Sequence, residues 1–556
     1  MKLVGRTPWS ARDALVPQLW LVSTNMDFFE ELRSKFPNLV SAEQGPPHPA
    51  RDQISIALLA ADVRPLAYHL YSVYDSRLVA VFEDRVAPEG VFYNYYVFEQ
   101  PGEPCYLIFQ APVPADQPHF PSLAAELPAV NWQEREIQDW FGLAATGHPN
   151  PRRVALHDNW PDVHPLLKSF PLRQVLPPFE GERHVYRPTL GEGVFQIPVG
   201  PVHAGIIEPG HFNFAVAGEP ILYLQLRMFY THKGTEKLFE DMPIHRAVFL
   251  AESISGDSAF SHGTAFCQAI ESAAGIHVPS RALVMRTILL ELERVCNHIG
   301  DIGAIATDVG FMVANAHAGR LREMVVRLNE ALAGSRWLRG MVCVGGVRRG
   351  WGTVQRDLLR DGIDRLEQEF DSLVALIQAS DSTRDRLERT GILRPETARE
   401  LGIVGVAGRA SGVDLDVRRD HPYAAYDRYP FQVPVYQAGD VLHRLLVRVD
   451  EVKQSCAILR AAANDLQTGA VSTGPHCAIE QPVPPGRCAL SAVEGWRGEI
   501  LHWVRTAPGN RLERCKIKDP SVNNWAAIVE AVQGNIIADF PVINKSFNLS
   551  YSGTDR

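Results

Sequence analysis

Residues Glu252–His262 read ESISGDSAFSH. Ser255 and Ser258 stand three positions apart, with Gly256 and Asp257 between them, and His262 follows one helical turn later. With cysteine at both serines the segment would be C-G-x-C, a spacing that holds a soft metal through paired thiolates. A neutral serine hydroxyl is a poor ligand for such a metal. Two readings of the segment stay open. Asp257 or Ser258 caps a helix carrying His262, Phe266 and Ile270 by accepting from free backbone N–H groups. Alternatively, the polar groups bind a water, a proton path or an acceptor carbonyl.

Two other stretches carry titratable groups at suggestive spacing. The turn GPVHAGIIEPGHF holds His203, Glu208 and His211. Further on, Glu291, Glu293, Arg294 and His298 share one helical pattern. Glu291, Arg294 and His298 fall on one face of it, either as a proton-conducting row or as an ion-pair seam. Cysteine offers less. The residues Cys105, Cys267, Cys296, Cys343, Cys456, Cys477, Cys488 and Cys515 include no two within four positions, which excludes a local C-x-x-C pair. They read as reduced, mostly buried thiols. No G-x-G-x-x-G follows a strand, so nicotinamide chemistry is expected in another subunit.

These groups must be positioned by a long chain. At 556 residues it exceeds one small core, and two or three domains are expected. A net charge of −9 leaves no footprint for nucleic acid. No stretch approaches the roughly 18 apolar residues of a membrane span, and the first 20 residues lack an apolar signal core. The chain is therefore expected in the cytosol, with membrane association through partners.

Residues 1 to about 120 alternate strand-like and helical patterns. ISIALLAADV and RLVAVFEDRV read as strands, MDFFEELRSKF as a helix, and GVFYNYYVFEQPGEPCYLIFQAPV as a hairpin around Pro101–Gly102. NWQEREIQDWFG begins as a helix and gives way to Pro-, His- and Arg-rich chain. The Pro, Gly and charge content of residues 173–190 suggests a linker. Strands joined by Gly and Pro turns come next. Helical patterns then cover 259–274, 280–310, 314–334, 354–379 and 438–467.

Two sets of motifs resemble one assembly. Residues Glu134–Gly142 (E-R-E-x-x-D-x-F-G), Gly147–Arg153 (G-H-P-x-x-R-R) and His164–Lys168 (H-P-L-x-K) resemble the accessory hydrophilic subunit of respiratory complex I. THKGTEKLFE, RALVMRTILLELERVCNHIGDIGAI, GSRWLRGMVCVGGV, RASGVDLDVRRDHPYAAYDRY and GDVLHRLLVRVDEVKQS resemble its quinone-site large subunit. So do GWRGEILHWV and the final KIKDPSVNNW…SGTDR. That subunit is homologous to nickel–iron hydrogenase large subunits. The fusion of both is most similar to the large subunits of formate hydrogenlyase and hydrogenase-4 complexes.

The resemblance implies an α+β domain over residues 1–172, a linker over 173–190, and a domain over 191–556. The last would be mainly α-helical, like a nickel–iron hydrogenase large subunit, with a strand-rich start. Arg152, Arg153 and Lys168 would face a partner. Arg409, Asp414, Arg418 and Arg419 match the family's charged loop and imply pairing between helices or subunits. The four metal-ligand cysteines of the hydrogenases fall at Ser255, Ser258, Ser550 and Gly553. Ser253 replaces the arginine that precedes the first cysteine, and no maturation tail follows Arg556.

All four metal-ligand positions are thus vacated, and neither nickel nor any other cofactor is expected on this chain. A quinone is the acceptor the resemblance implies. His203 matches a histidine of the complex I hairpin, while Glu208 or Pro209 stands where its quinone-contacting histidine would be. Gly256 or Asp257 stands at the quinone-contacting tyrosine. His211, Asp257 and Ser258 are the substitutes on hand.

Glu208 also matches a hydrogenase proton-relay glutamate, which a dry cavity would give a raised pKa; otherwise it is a surface turn carboxylate. Asp308 matches a buried aspartate and is expected to pair with His211 or Arg339. The implied partners are a small iron–sulfur subunit and antiporter-like membrane subunits. The implied place is peripheral, on the cytoplasmic side of the inner (plasma) membrane. Two functions are open: electron transfer to an acceptor at the vacated site, or a non-redox scaffold coupling the partners.

Overall fold

The computed structural model describes residues 28, 30–41, 53–86, 91–102, 104–173, 175–177, 179–181, 184–203, 207–466, 469–472 and 482–556. In the N-terminal part, strands β1 (Val40–Ser41), β2 (Gln53–Ala57), β3 (Arg77–Val86), β4 (Val91–Glu99) and β5 (Tyr106–Val113) form one sheet in the order β1-β2-β5-β4-β3. The hairpin around Pro101–Gly102 joins β4 to β5 antiparallel, and β3 matches the RLVAVFEDRV run.

ISIALLAADV is a strand only to Ala57. The chain then turns, and helix α1 (Val63–Tyr74) begins. Val63, Leu66, Ala67 and Leu70 are its buried apolar residues, a helical spacing that overrides strand propensity. Helix α2 (Asn131–Phe141) ends on Gly142, whose positive φ of 75° forms its C-cap. Short strands β6 (His119–Pro121) and β7 (Ala144–Thr146) flank it.

The charged motif on α2 shapes the irregular chain that follows. Asp139 accepts from the backbone N–H groups of Val154 (3.0 Å), Ala155 (2.7 Å) and Leu156 (3.1 Å). Arg135 donates to the carbonyls of Arg152 and Arg153. Those backbone groups have no helix or strand to pair with, so α2 pairs them instead.

From Val194 the chain forms a second sheet, ordered β10 (Ile221–Arg227), β9 (His211–Ala217), β8 (Val194–Val199). The long helices follow: α3 (Ala259–Ala274), α4 (Ser280–Asp308), α5 (Met312–Ala333), α6 (Thr353–Gln378) and α7 (Val441–Asp465). They match the sequence periodicity to within three residues at each end. Helix α4 packs between α5 and α7, and is buried on nearly every side. Small strands β11 (Val342–Cys343) and β12 (Gly346–Val347) pair beside α3 and α4. Cys343 is disulfide-bonded, which corrects the reading of every cysteine as a free thiol, and Cys477 lies outside the described residues.

A sheet of β13 (Cys488–Gly495), β14 (Gly498–Ala507) and β15 (Arg511–Lys518) precedes the final helices. The sequence reading missed it. Nearly every residue of β14 is buried, so polar and apolar positions do not alternate along it. One side of this sheet packs on α3. The other meets the N-terminal sheet, where Trp503 lies 5.1 Å from Phe82 and 5.0 Å from Tyr95, ring centre to ring centre. Arg77–Glu499 (2.8 Å), Arg505–Asp84 (2.6 Å) and His421–Glu99 (2.8 Å) close the same seam. Among the described residues, no helix is long and apolar enough to cross a membrane.

Candidate functional site

Ser255, Ser258 and Ser550, three of the four positions that the resemblance aligns with hydrogenase cysteines, come together across nearly 300 residues of sequence. Ser255, before α3, and Ser550, before the short helix α8 (Tyr551–Asp555), share a hydroxyl–hydroxyl bond of 2.8 Å. Ser550 also caps α8 by accepting from the N–H of Gly553 at 2.9 Å. Ser258 completes the group through Arg497, whose guanidinium approaches its hydroxyl at 3.5 Å.

Arg497 sits in the tight turn between β13 and β14. It forms a two-pronged pair with Asp257 at 2.8 and 2.7 Å and donates to the carbonyl of Asn548. One side chain thus ties together the two segments that carry the serines. The turn is fixed where Gly405 crosses it: a Cβ on Gly405 would stand 1.9 Å from the Arg497 carbonyl. Ser255 donates to Asp257 at 2.9 Å. Against the push of burial, Arg497 holds the Asp257 carboxyl below the usual carboxylate range.

The donor set does not suit a soft metal. Hydroxyls stand at three positions, and a side chain at the fourth would have to displace Asp519. A Cβ on Gly553 would lie 2.5 Å from Oδ2 of Asp519. That carboxylate meets Nε2 of His262 at 3.1 Å, and Nδ1 of His262 lies 3.1 Å from Nε2 of His502. Burial and the neighbouring His262 push the His502 pKa well down, so His502 is neutral. Among the described residues, no group of three or more His, Cys, Asp or Glu is placed to hold a metal ion.

The hairpin before β9 reaches this site from its exposed side. His203, half-buried, lies 3.5 Å from the hydroxyl of Tyr551. Burial lowers the His203 pKa and raises that of Tyr551, so both are neutral near pH 7. Tyr551 escaped the sequence reading, which sought a tyrosine only beside Ser255. Its place next to Ser550 was the available signal. Glu208 accepts from the N–H of Ser552 at 2.8 Å but is exposed, so the dry setting expected for it is not there. His211 bonds to Tyr186 at 2.9 Å. Asp308 is exposed at the end of α4, where Lys545 is the cation acting on it; no bond to His211 or Arg339 is recorded among the described residues.

One further expectation changes. Ser258 occupies the N-cap position of α3, but neither it nor Asp257 caps the helix. Glu293 does so from α4, accepting from the N–H of Phe260 (2.7 Å) and of Ser261 (3.1 Å). Lys168 is exposed, pairs with Glu240 (2.9 Å) and donates to the Glu513 carbonyl (2.8 Å). Arg152 and Arg153 are exposed and donate to the carbonyls of Val185 and Trp160.

Each charged group in the α4 row has a buried counter-charge. Glu291 pairs with Arg418 at 3.2 Å and Arg294 at 3.4 Å, while His298 meets Glu451 at 2.7 Å. Arg409 joins Glu451 (2.7 Å) to Glu494 (2.8 Å). This is the geometry of an ion-pair seam. Asp414 and Arg419 pair separately at the surface.

The comparisons with known proteins agree with this architecture. The family described as "Respiratory-chain NADH dehydrogenase, 30 Kd subunit" matches residues 57–175, and "Respiratory-chain NADH dehydrogenase, 49 Kd subunit" matches residues 308–556. Formate hydrogenlyase subunit 5 of Escherichia coli (strain K12) is 33% identical over 520 residues, covering 91% of this chain and 89% of that protein. Hydrogenase-4 component G of the same organism is 34% identical over 537 residues, covering 94% and 91%. Among solved structures, a chain of the archaeal membrane-bound sulfane sulfur reductase is 27% identical with a TM-score of 0.62, covering 66% of this chain and all of that one. The chain therefore belongs to the complex I-like family of formate hydrogenlyase and hydrogenase-4 large subunits, in which a 30 kDa-type and a 49 kDa-type region are joined in one polypeptide.

Proposed function

We propose that this chain is the acceptor-site subunit of a membrane-associated, complex I-like redox complex. It takes electrons from an iron–sulfur cluster in a small partner subunit. It passes them to a quinone or another small acceptor beside Ser255, Ser258, Ser550 and Gly553. The same complex would include antiporter-like membrane subunits, with this chain peripheral on the cytoplasmic side. No nickel is proposed, because the serines lack thiolates and Asp519 fills the space of a fourth ligand.

The observation that carries this reading is the pairing of His203 with Tyr551 at the edge of the serine cluster. An acceptor carbonyl gains negative charge as it is reduced. A tyrosine hydroxyl and a neutral imidazole N–H can donate to that oxygen, and the Arg497 guanidinium adds positive potential behind them. A second reading, the non-redox coupling scaffold, is favoured by the direct Ser255–Ser550 bond, which closes the cluster on itself.

The test uses the intact complex from native membranes. Its clusters are reduced, and reoxidation is followed on adding a quinone, with hydrogen evolution recorded alongside. A sulfane-sulfur compound is the second acceptor to add, given the similar solved reductase. We expect acceptor-dependent reoxidation without hydrogen, slowed by Tyr551→Phe. Reoxidation by neither acceptor would leave the scaffold, and hydrogen evolution would overturn the assignment of the serines.

A further inference from the structure

We propose that Glu293 loads protons for the acceptor site and passes them to Asp257 through a small cavity behind the Ser255–Ser258 turn. The inference rests on the acceptor-site reading above.

Glu293 differs from its neighbours on α4. Glu291 is held by Arg418 at 3.2 Å and Asp301 by Arg448 at 2.9 Å. Glu293 is 6% exposed, and among the described residues no cation pairs with it. Its partners are the backbone and hydroxyl groups at the start of α3. Burying a carboxylate without a counter-charge is costly, so the protonated form is favoured. Burial pushes its pKa up to about 7, with the Asp257 charge adding to the effect.

The cavity supplies the second observation. Asp257, Glu293, Asn297, Asn329 and Trp337 line it, and it has room for about one water. Asn329 is 2% exposed, and its Oδ1 has no hydrogen-bond partner. A buried acceptor of this kind calls for a donor, and a water in the cavity meets it. Asn297 holds the two sides together by donating to the carbonyls of Asp257 (2.8 Å) and Glu293 (2.9 Å).

Other charged and titratable groups lie around the pair. Arg497 faces Asp257, and Arg339 stands against Gly256. The Cys296 thiol, pushed up to about 11 by burial, stays protonated beside Arg322 and Arg336.

The transfer balances. The Glu293 O–H bond breaks as the water takes its proton, and the water gives one to the Asp257 carboxylate. Asp257 passes a proton to the Ser255–Ser550 hydroxyl pair. The acceptor oxygen takes that proton with each electron received from the partner cluster. Glu293 is reprotonated from solvent on the side of Trp337, which is 38% exposed.

The test compares the intact complex with its E293Q and N329L variants. Infrared difference spectra of the wild type should show a protonated-carboxyl band that titrates near pH 7 and is absent from E293Q. Cluster reoxidation in the wild type should slow about tenfold per pH unit above 7. In E293Q it should be about 100-fold slower and flat with pH, at unchanged cluster content. N329L, which fills the cavity and leaves the α3 cap in place, should slow reoxidation while keeping the infrared band. Wild-type rates and pH profiles in both variants would overturn the relay. If the wild type is not reoxidised at any pH, the acceptor reading fails, and the infrared band decides proton loading at Glu293 by itself.

Discussion

At the scale of single residues, the four positions that the resemblance aligns with metal-ligand cysteines are packed among polar neighbours. Asp519 occupies the space that a side chain at position 553 would need. Gly553→Cys should therefore cost about 1–3 kcal/mol by overpacking, read as a lowered midpoint in thermal or denaturant unfolding. Restoring three cysteines elsewhere would not relieve that clash. Arg497 is the other fixed point. Arg497→Met leaves Asp257 and the Asn548 carbonyl without their partner, and we expect a loss of about 2–4 kcal/mol, moderated because Asp257 is partly exposed. Arg497→Lys should recover only part of this, since a single ammonium cannot reproduce the two-pronged bond. Ser255 and Ser258 could be singled out in the sequence by their spacing. Tyr551 could have been, by its place next to Ser550; Asp519 could not, because nothing in its type records which groups it touches.

At the scale of elements, charged residues on helices α2 and α4 act as buried connectors. On α2, Glu134 accepts from Ser122 (2.5 Å) and from the N–H of Leu123 (2.7 Å). Burial pushes its pKa up to about 7 from an ordinary 4.5. The folded state therefore holds this proton over a range where the unfolded chain has released it. The resulting stability is fully present below about pH 4.5 and is lost as pH rises through 7. Unfolding curves should show the wild type losing about 3 kcal/mol more than Glu134→Gln between pH 4 and 8. Glu451 runs the opposite way. Against the cost of burial, Arg409 and His298 hold its carboxyl well below the usual range. Its contribution is present above the unfolded carboxylate range and lost as pH falls. Helical periodicity made the lengths of these elements legible, whereas the directions of the pKa shifts depend on the burial of Glu134 and, for Glu451, on Arg409, 42 residues away.

At the scale of the whole molecule, two sheets from opposite ends of the chain pack face to face. Trp503, Phe82 and Tyr95 form the apolar centre of that contact, with Arg77, Glu499, Arg505 and Asp84 around it. Trp503→Ala should cost about 3–5 kcal/mol. The change should destabilise both regions together, seen as one shifted transition by fluorescence and calorimetry. The same contact presses β14 between α3 and the N-terminal sheet, with Arg497 against Ser258 and His502 against His262. The N-terminal region thereby supports the site, and none of its described residues is among the groups that form it.

The sequence by itself determined that no soft-ligand set remains at positions 255, 258, 550 and 553, since ligand chemistry follows from residue type. It also determined the long helices and the β4–β5 hairpin, because apolar periodicity and turn residues are local signals. Only the tertiary structure decided that Glu293 caps α3, that Asp519 lies against Gly553, and that His203 meets Tyr551. Those outcomes join segments 32 to 348 residues apart. A buried polar group must find a partner to offset its lost hydration, and which partner is within reach is set by packing alone.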